Sequence, residues 1–551
     1  MKKKLSLYTG LVSSILLFFV SCNSLDLGPI NQFTDFNYWT SADKASSVLS
    51  MAYNQMFGSG YYFANERLSD NLYEDRGNSD EKIFTAGQAD PTLGRFANEW
   101  KDCYAGIKTC HTLLENVDRI PNMDEALKTR MKAEARFIRA YLYFRLTTQY
   151  GDVPLFDHIL TLQEATELSR TPKADVVAFV RSELNDIVTI LPTKQQYAAA
   201  DNGRATQGAV MTLLARTYLY ENDWTNVASI CEKIMNGTYG QYALFPSYDG
   251  LFLPGGSNYP NKYNSEDIFS LGYALSLKTW SEYYDAIPLT VGGRISALTP
   301  TQELVNDYVM LNGKGITDAG SGYDENNPYV NRDPRFKYTI VYTGYQWESL
   351  DANGKTVVST IYIKPGSSVA AGLQKPTVDE YAGSGQNSTA TGYYLRKWFD
   401  PNAPQGMASG LNLYLMRYAD VLLMYAEAKN ELGQMSADIW SKTIGAIRTR
   451  AGFTDASALN YPDAGSDMRN IIRRERRCEL ALEGTRLFDI RRWKTIETVM
   501  NGTPHGAKFA SNNTQYIQLG ARKFDPSRNY LFAVPQSQRD IDKNLSQNPG
   551  W

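Results

Sequence analysis

Histidine is scarce in this chain: three in 551 residues, at His111, His158 and His505, far apart and in no H-x-x-H or H-E-x-x-H arrangement. A zinc centre or a histidine base therefore has little support. Gly-rich phosphate loops, a serine elbow and C-x-x-C pairs are absent too, which removes the usual sequence signatures of nucleotide, acyl-transfer and dithiol chemistry. No EF-hand spacing occurs. No cofactor, metal or catalytic residue is expected, although two carboxylates of a glycosidase need only meet in space and are not decided by spacing. Among the five cysteines, Cys103 and Cys110 stand seven apart in a helical pattern, about 10 Å along the axis and too far to bridge within one helix. Pairing of either with Cys231 or Cys478 stays open. Beyond Arg473 to Arg477 there is no cluster of basic residues, which argues against a nucleic-acid partner.

Apolar runs are short as well. The one at the start, Leu11 to Val20, follows Lys2, Lys3 and Lys4 and ends at Ser21-Cys22. It is too short to span a bilayer and reads as a secretory signal over residues 1–21. Phe19-Val20-Ser21-Cys22 then resembles the lipobox of a bacterial lipoprotein, with Phe in place of the usual Leu, and makes Cys22 the acylation point. Several acyl chains hold durably, at roughly 0.8 kcal/mol per buried methylene. The plainer alternative is a cleaved signal whose boundary happens to abut a cysteine. The mature chain of 530 residues carries 53 basic against 59 acidic side chains, a net charge near −6. It exceeds the needs of a single core, so two domains or one large repeat-built body is expected.

Aromatic residues are plentiful, with 37 Tyr and 9 Trp. After a tether at 22–40, the segment 41–240 reads as paired helices: Ser41 to Met56, Arg95 to Val117, Asp124 to Tyr150, Pro172 to Leu191, Thr206 to Glu221 and Asp223 to Met235. The last two form a tight hairpin like a tetratricopeptide pair, with small Ala209 and Ala215 beside large Leu214 and Tyr218. From 241 to 411 the composition turns to Gly, Pro, Asn, Tyr and Ser, with short alternating runs at Tyr338 to Tyr342 and Thr356 to Ile363. Helix returns over 412–551, at Tyr414 to Leu432, Ser436 to Ala451 and a long terminal helix from Asp467 to about Thr495. The expected fold is mainly α: a helical repeat body of about four pairs, interrupted by a loop-rich insertion with a few short strands. Such an insertion is where function usually sits.

Glu475, Glu479 and Glu483 fall at i, i+4 and i+8 among Arg473, Arg474, Arg476 and Arg477. Arg476 can reach Glu479, and Glu483 can reach Arg486, but three stacked carboxylates repel unless other helices supply partners. A structural Arg-Glu network joining helices is the favoured reading over a catalytic carboxylate.

Motifs spread over nearly the whole chain carry a family resemblance. They are Asn37-Tyr38-Trp39, Glu134 to Tyr141 running into Tyr150-Gly151-Asp152-Val153-Pro154, Arg170-Thr171-Pro172, Asn331-Arg332-Asp333-Pro334-Arg335, Arg417 to Ala428, Glu475-Arg476-Arg477 to Trp493, and the closing Asn544 to Trp551. In number and order they resemble the SusD and RagB family of surface nutrient-binding lipoproteins, partners of SusC-like TonB-dependent transporters. Asp420 stands where that family usually has Glu, and Trp551 where it often has Tyr.

The resemblance implies an outer-membrane, cell-surface lipoprotein of a Gram-negative bacterium that binds oligosaccharide or polysaccharide and delivers it to its transporter without turnover. The RagB branch implies peptide binding, or a structural interaction solenoid, as the alternative. Sugar rings stack on Tyr and Trp, and their hydroxyls bond to Asp, Asn, Arg and Lys. Two stretches combine those residue kinds. One holds Asp70, Asp75 and Arg76 with Trp100, in a long loop after the first helix and the helix that follows. The other holds Tyr259, Tyr263, Trp280, Tyr283 and Tyr284, with Trp280, Tyr283 and Tyr284 foremost for stacking.

Overall fold

The computed structural model describes residues 38–75, 77–253, 259–351, 355–383, 385–403, 408–509 and 515–551. Cys22 and residues 23–37 of its tether lie outside them. The helices used below are α1 (Ala42–Met56), α2 (Ser59–Arg67), α3 (Gly94–Asn116), α4 (Glu125–Tyr150), α5 (Lys173–Ile187), α6 (Gln207–Leu219), α7 (Trp224–Met235), α8 (Tyr418–Glu431), α9 (Ala437–Lys442), α10 (Ile444–Ala451), α11 (Met468–Glu479) and α12 (Arg486–Arg492). The fold is mainly α. Helices stack in series: α1 on α3, α3 on α4, then α5, α6, α7, α8 and α11, each against the one before. Side-chain caps fix several starts, Asp124 accepting from Leu127 N at 2.7 Å and Thr206 from Ala209 N at 3.1 Å. Ser41 precedes α1 but makes no such bond.

Three helical expectations need correction. The run from Tyr414 begins as a strand, Leu413–Arg417, paired antiparallel with Asp267–Leu271. Every residue of both strands is buried, so no alternation marks them. The run Ser436 to Ala451 breaks at Thr443, with φ −120° and ψ −94°, into α9 and α10. The long terminal helix is three pieces, α11, α12 and Ile496–Val499, because Leu482 and Gly484 turn left-handed at φ 64° and 73°. A Cβ on Gly484 would lie 3.0 Å from the Tyr62 carbonyl oxygen, and Gly484 N donates to Glu66 Oε1 at 2.7 Å, so the break seats the chain on α2. Helix α2 itself stands where a loop was expected. It buries five successive residues, Tyr62 to Glu66, and so lacks an amphipathic period.

Strands are few and pair only two by two among the described residues. Thr356–Ile361 pairs with Tyr345–Leu350, while Tyr338 to Tyr342 resolves into a helical turn, Phe336–Thr339, and a two-residue strand, Ile340–Val341. Cys103, Cys110, Cys231 and Cys478 are all buried and unpaired.

A sealed ionic cluster ties these parts together. Glu475 pairs with Arg335 at 2.7 Å and Arg448 at 2.8 Å; Glu479 faces Arg335 at 2.9 Å, Arg417 at 2.6 Å and also Arg450; Glu483 pairs with Arg417 and Lys397, both at 2.7 Å. Other elements thus supply every partner, and the expected pair of Glu483 with Arg486 does not form, since Arg486 goes to Asp70. Burial pushes the Glu479 carboxyl up, but Arg450, Arg417 and Arg335 together pull it well below the usual carboxylate range.

Candidate functional site

The Asn331-Arg332-Asp333-Pro334-Arg335 motif links that cluster to the surface. Arg335 is anchored by Asp333 and Glu479, while Arg332 pins the preceding loop by donating to the carbonyls of Pro328 at 2.7 Å and Tyr308 at 3.0 Å. Asp324 shapes the same loop, accepting from Asn326 N at 2.9 Å and Asn327 Nδ2 at 2.7 Å. Fixed in this way, Tyr329 stacks on Tyr342 with centroids 4.3 Å apart and planes 26° from parallel. Buried Phe336, next after Arg335, supports Tyr342 from 5.3 Å at 9°.

These rings line an open cavity of about 350 Å³ with Tyr323, Phe509, Tyr516, Asn326 and Lys364. Tyr323, Tyr329, Tyr342, Phe509 and Tyr516 are all half-buried, so each shows part of its ring to solvent. Below them Tyr329 OH meets Tyr393 OH at 3.4 Å, and Tyr393 OH donates to Gln302 Oε1 at 2.7 Å. Burial pushes the Tyr329 phenol up to about 12, leaving it neutral near pH 7. The lining has one carboxylate, Glu325, and Lys508 engages it. Apolar ring faces beside amides and an ammonium suit a polyhydroxylated ligand that has C-H faces. A second cavity of about 390 Å³ lies on the other side of Tyr342, lined by Tyr338, Tyr345, Lys337, Gln346 and Arg396.

The residues expected to bind are placed elsewhere, and most are in the core. Asp70 is buried between Arg477 at 2.9 Å and Arg486 at 2.7 Å. Burial raises its carboxyl, yet the two guanidiniums hold it well below the usual range, so its role here is an internal counter-ion. Trp100 packs between Tyr104 and Tyr150, 5.1 Å from each. Trp280 and Tyr283 do meet, edge to face at 5.1 Å, but inside the core, with the Trp280 indole donating to Leu411 O at 2.7 Å. Tyr259 is buried with its hydroxyl on Asp400 at 2.8 Å. Buried in this way, Asp70, Trp100, Tyr259, Trp280 and Tyr283 present no ring face or carboxylate to a ligand. Tyr263 and Tyr284 are half-buried, Tyr284 beneath the Arg294 guanidinium at 5.5 Å. Asp75 accepts from Gly385 N, and Arg76 lies outside the described residues.

An open groove of about 500 Å³ between Gly58 and Lys278 is larger than either cavity beside Tyr342. It offers no free ring: Tyr61 carries Arg95 and Arg145 at 4.9 and 4.4 Å, Phe57 is buried under Arg145 at 4.5 Å, and Tyr273 is buried with Lys278 Nζ 5.0 Å from its centroid.

The sequence model of the SusD family matches residues 262–551, and a model described as starch-binding associating with outer membrane matches residues 28–219. The chain belongs to the SusD family. A SusD-like protein of Formosa agariphila is 25% identical to it, over 98% of both chains. In structure it is similar to a SusD-like carbohydrate-binding protein from Bacteroides fragilis, with a TM-score of 0.80 and 27% identity over 92% of this chain and all of that one. It shares its fold with a laminarin-binding SusD-like protein, with a TM-score of 0.65 and 21% identity over 93% of this chain and all of that one. No described helix is long and apolar enough to cross a membrane.

Proposed function

We propose that this protein binds glycan at the Tyr329–Tyr342 stack, is held at the outer-membrane surface by lipid on Cys22, and delivers its ligand to a SusC-like TonB-dependent transporter without turning it over. The stack carries the reading: two half-buried parallel rings, braced from behind by Phe336 and edged by amides, in an open cavity. Membership of the SusD family and the likeness to a carbohydrate-binding relative support the ligand class. A single carboxylate in the lining favours capture over hydrolysis, which uses a pair.

Affinity electrophoresis and a glycan array test the binding, with Tyr329→Ala as the control. A polysaccharide that retards the wild-type protein and not the variant supports the proposal. Retention of both equally moves the site elsewhere, and failure to bind any glycan ends the reading. Co-purification with the transporter tests delivery, and peptides recovered from that complex would favour the RagB-type alternative.

A further inference from the structure

We infer that the site takes an internal stretch of one extended glycan chain, running from the Tyr329 cavity over Tyr342 into the cavity that holds Tyr338. The inference rests on the glycan reading above and adds what kind of glycan the site selects. Tyr342 lines both cavities and is their shared wall. The ridge that continues from it is low. Thr343 turns its hydroxyl inward to accept from Ile363 N and Lys364 N, both at 3.2 Å. Gly344 follows at φ 87° with nothing within 4 Å of where a Cβ would stand. A larger side chain there would be strained by that φ and would fence one cavity from the other.

Both cavities set cations beside aromatic rings, and the second also has Asp249 and Glu348 in its lining. Lys364 borders the first; in the second, Lys337 Nζ lies 4.9 Å from the Tyr338 ring and the Arg396 guanidinium 4.4 Å from the Trp347 ring. Neither Lys364 nor Lys337 forms an ion pair with a carboxylate among the described residues, so their ammonium groups are open to hydroxyls or to acidic groups on a sugar, while Arg396 Nη2 donates to Glu348 O at 3.2 Å. Each cavity alone is near the lower bound of small-ligand sites, roughly 300–1,000 Å³, and both are open to solvent. A pocket for a chain end would be closed on one side. Two open cavities joined across a ring and a bare glycine fit a strand that enters at one end and leaves at the other.

Graded laminari- and maltooligosaccharides, from disaccharide to octasaccharide, are titrated by calorimetry into the wild-type protein and the Tyr338→Ala and Lys337→Ala variants. Circular dichroism checks that each variant is folded. The series that binds should gain about tenfold or more in affinity from shortest to longest, and each variant should lose that gain while keeping the affinity for short oligomers. Equal affinity at all lengths, or full retention of the gain in both variants, overturns the inference and leaves glycan binding standing. A protein that binds neither series, nor any polysaccharide on the array, overturns the glycan reading and this inference with it.

Discussion

Arg417 Nε donates to Glu483 Oε2 at 2.7 Å, an ion pair sealed from solvent that joins the start of α8 to the turn after α11. The same guanidinium serves Glu266 and Glu479, at 2.7 and 2.6 Å, so one side chain bridges three acids from two parts of the chain.

Replacing it with methionine keeps the volume and leaves those carboxylates short of a partner. Arg417→Met should destabilise the protein by about 3–5 kcal/mol, read from denaturant midpoints. Arg417→Lys should rescue little, because an ammonium lacks the fork that meets two carboxylates at once.

His111 is fully buried with Nδ1 3.3 Å from Arg139 Nη1, and burial, then that guanidinium, pushes its pKa down to about 4. Between about 4 and the ordinary 6.5 the unfolded chain binds a proton that the folded one refuses, so stability falls as pH drops through that window. His111→Gln should flatten this part of the curve. Unfolding temperature against pH, taken as wild type minus variant, isolates the histidine from carboxylates that titrate alongside it.

Trp280→Ala should cost about 3–5 kcal/mol of stability, since it empties a packed site and orphans the Leu411 carbonyl. Binding by the folded fraction should hold. Tyr329→Ala should lose about tenfold in glycan affinity while costing less stability than Trp280→Ala, because its ring is only half-buried. Paired calorimetry and thermal melts separate the two cases.

Burial pushes the Cys103 and Cys110 thiols up to about 12, and Cys231 and Cys478 are equally enclosed. A thiol reagent at neutral pH should leave all four untouched in the native protein and titrate them in denaturant. Rapid native labelling at any of them would contradict their placement.

Cys22→Ala should move the protein from the membrane fraction to the soluble one while glycan affinity stays as it was. Fractionation and calorimetry on one preparation check both halves.

Helices α1 and α3 to α7 were legible because their apolar residues repeat every three or four positions and Ser, Thr or Asp precedes most of them. The need for outside partners at Glu475, Glu479 and Glu483 was legible too, since like charges stacked on one face must be neutralised by something. The identity of those partners was not, because Arg335, Lys397, Arg417 and Arg450 come from distant segments. At the candidate site the bias toward tyrosine was visible, whereas the choice among tyrosines was not. Trp280 and Tyr283 look as available as Tyr329 and Tyr342 in one dimension; only packing against Phe63, Leu411 and Trp398 shows them to be interior. The cavity draws on Gln302, the loop around Tyr329, Tyr342, Lys364 and Tyr516, a set that no local pattern assembles. The motif Asn331 to Arg335 is the one local signal of the site, since it stands directly between the loop of Tyr329 and Phe336, the ring that braces Tyr342.

The pair of Asp70 with Arg477 is separated by 407 positions, and it has a consequence in time as well as space. Asp70 emerges early in synthesis, whereas its counter-ion arrives only when most of the chain has been made, so the early helices wait with an acid they cannot yet bury. Closure over so long a loop is slow. A shortened chain that stops before α11 would leave Asp70 without either Arg477 or Arg486.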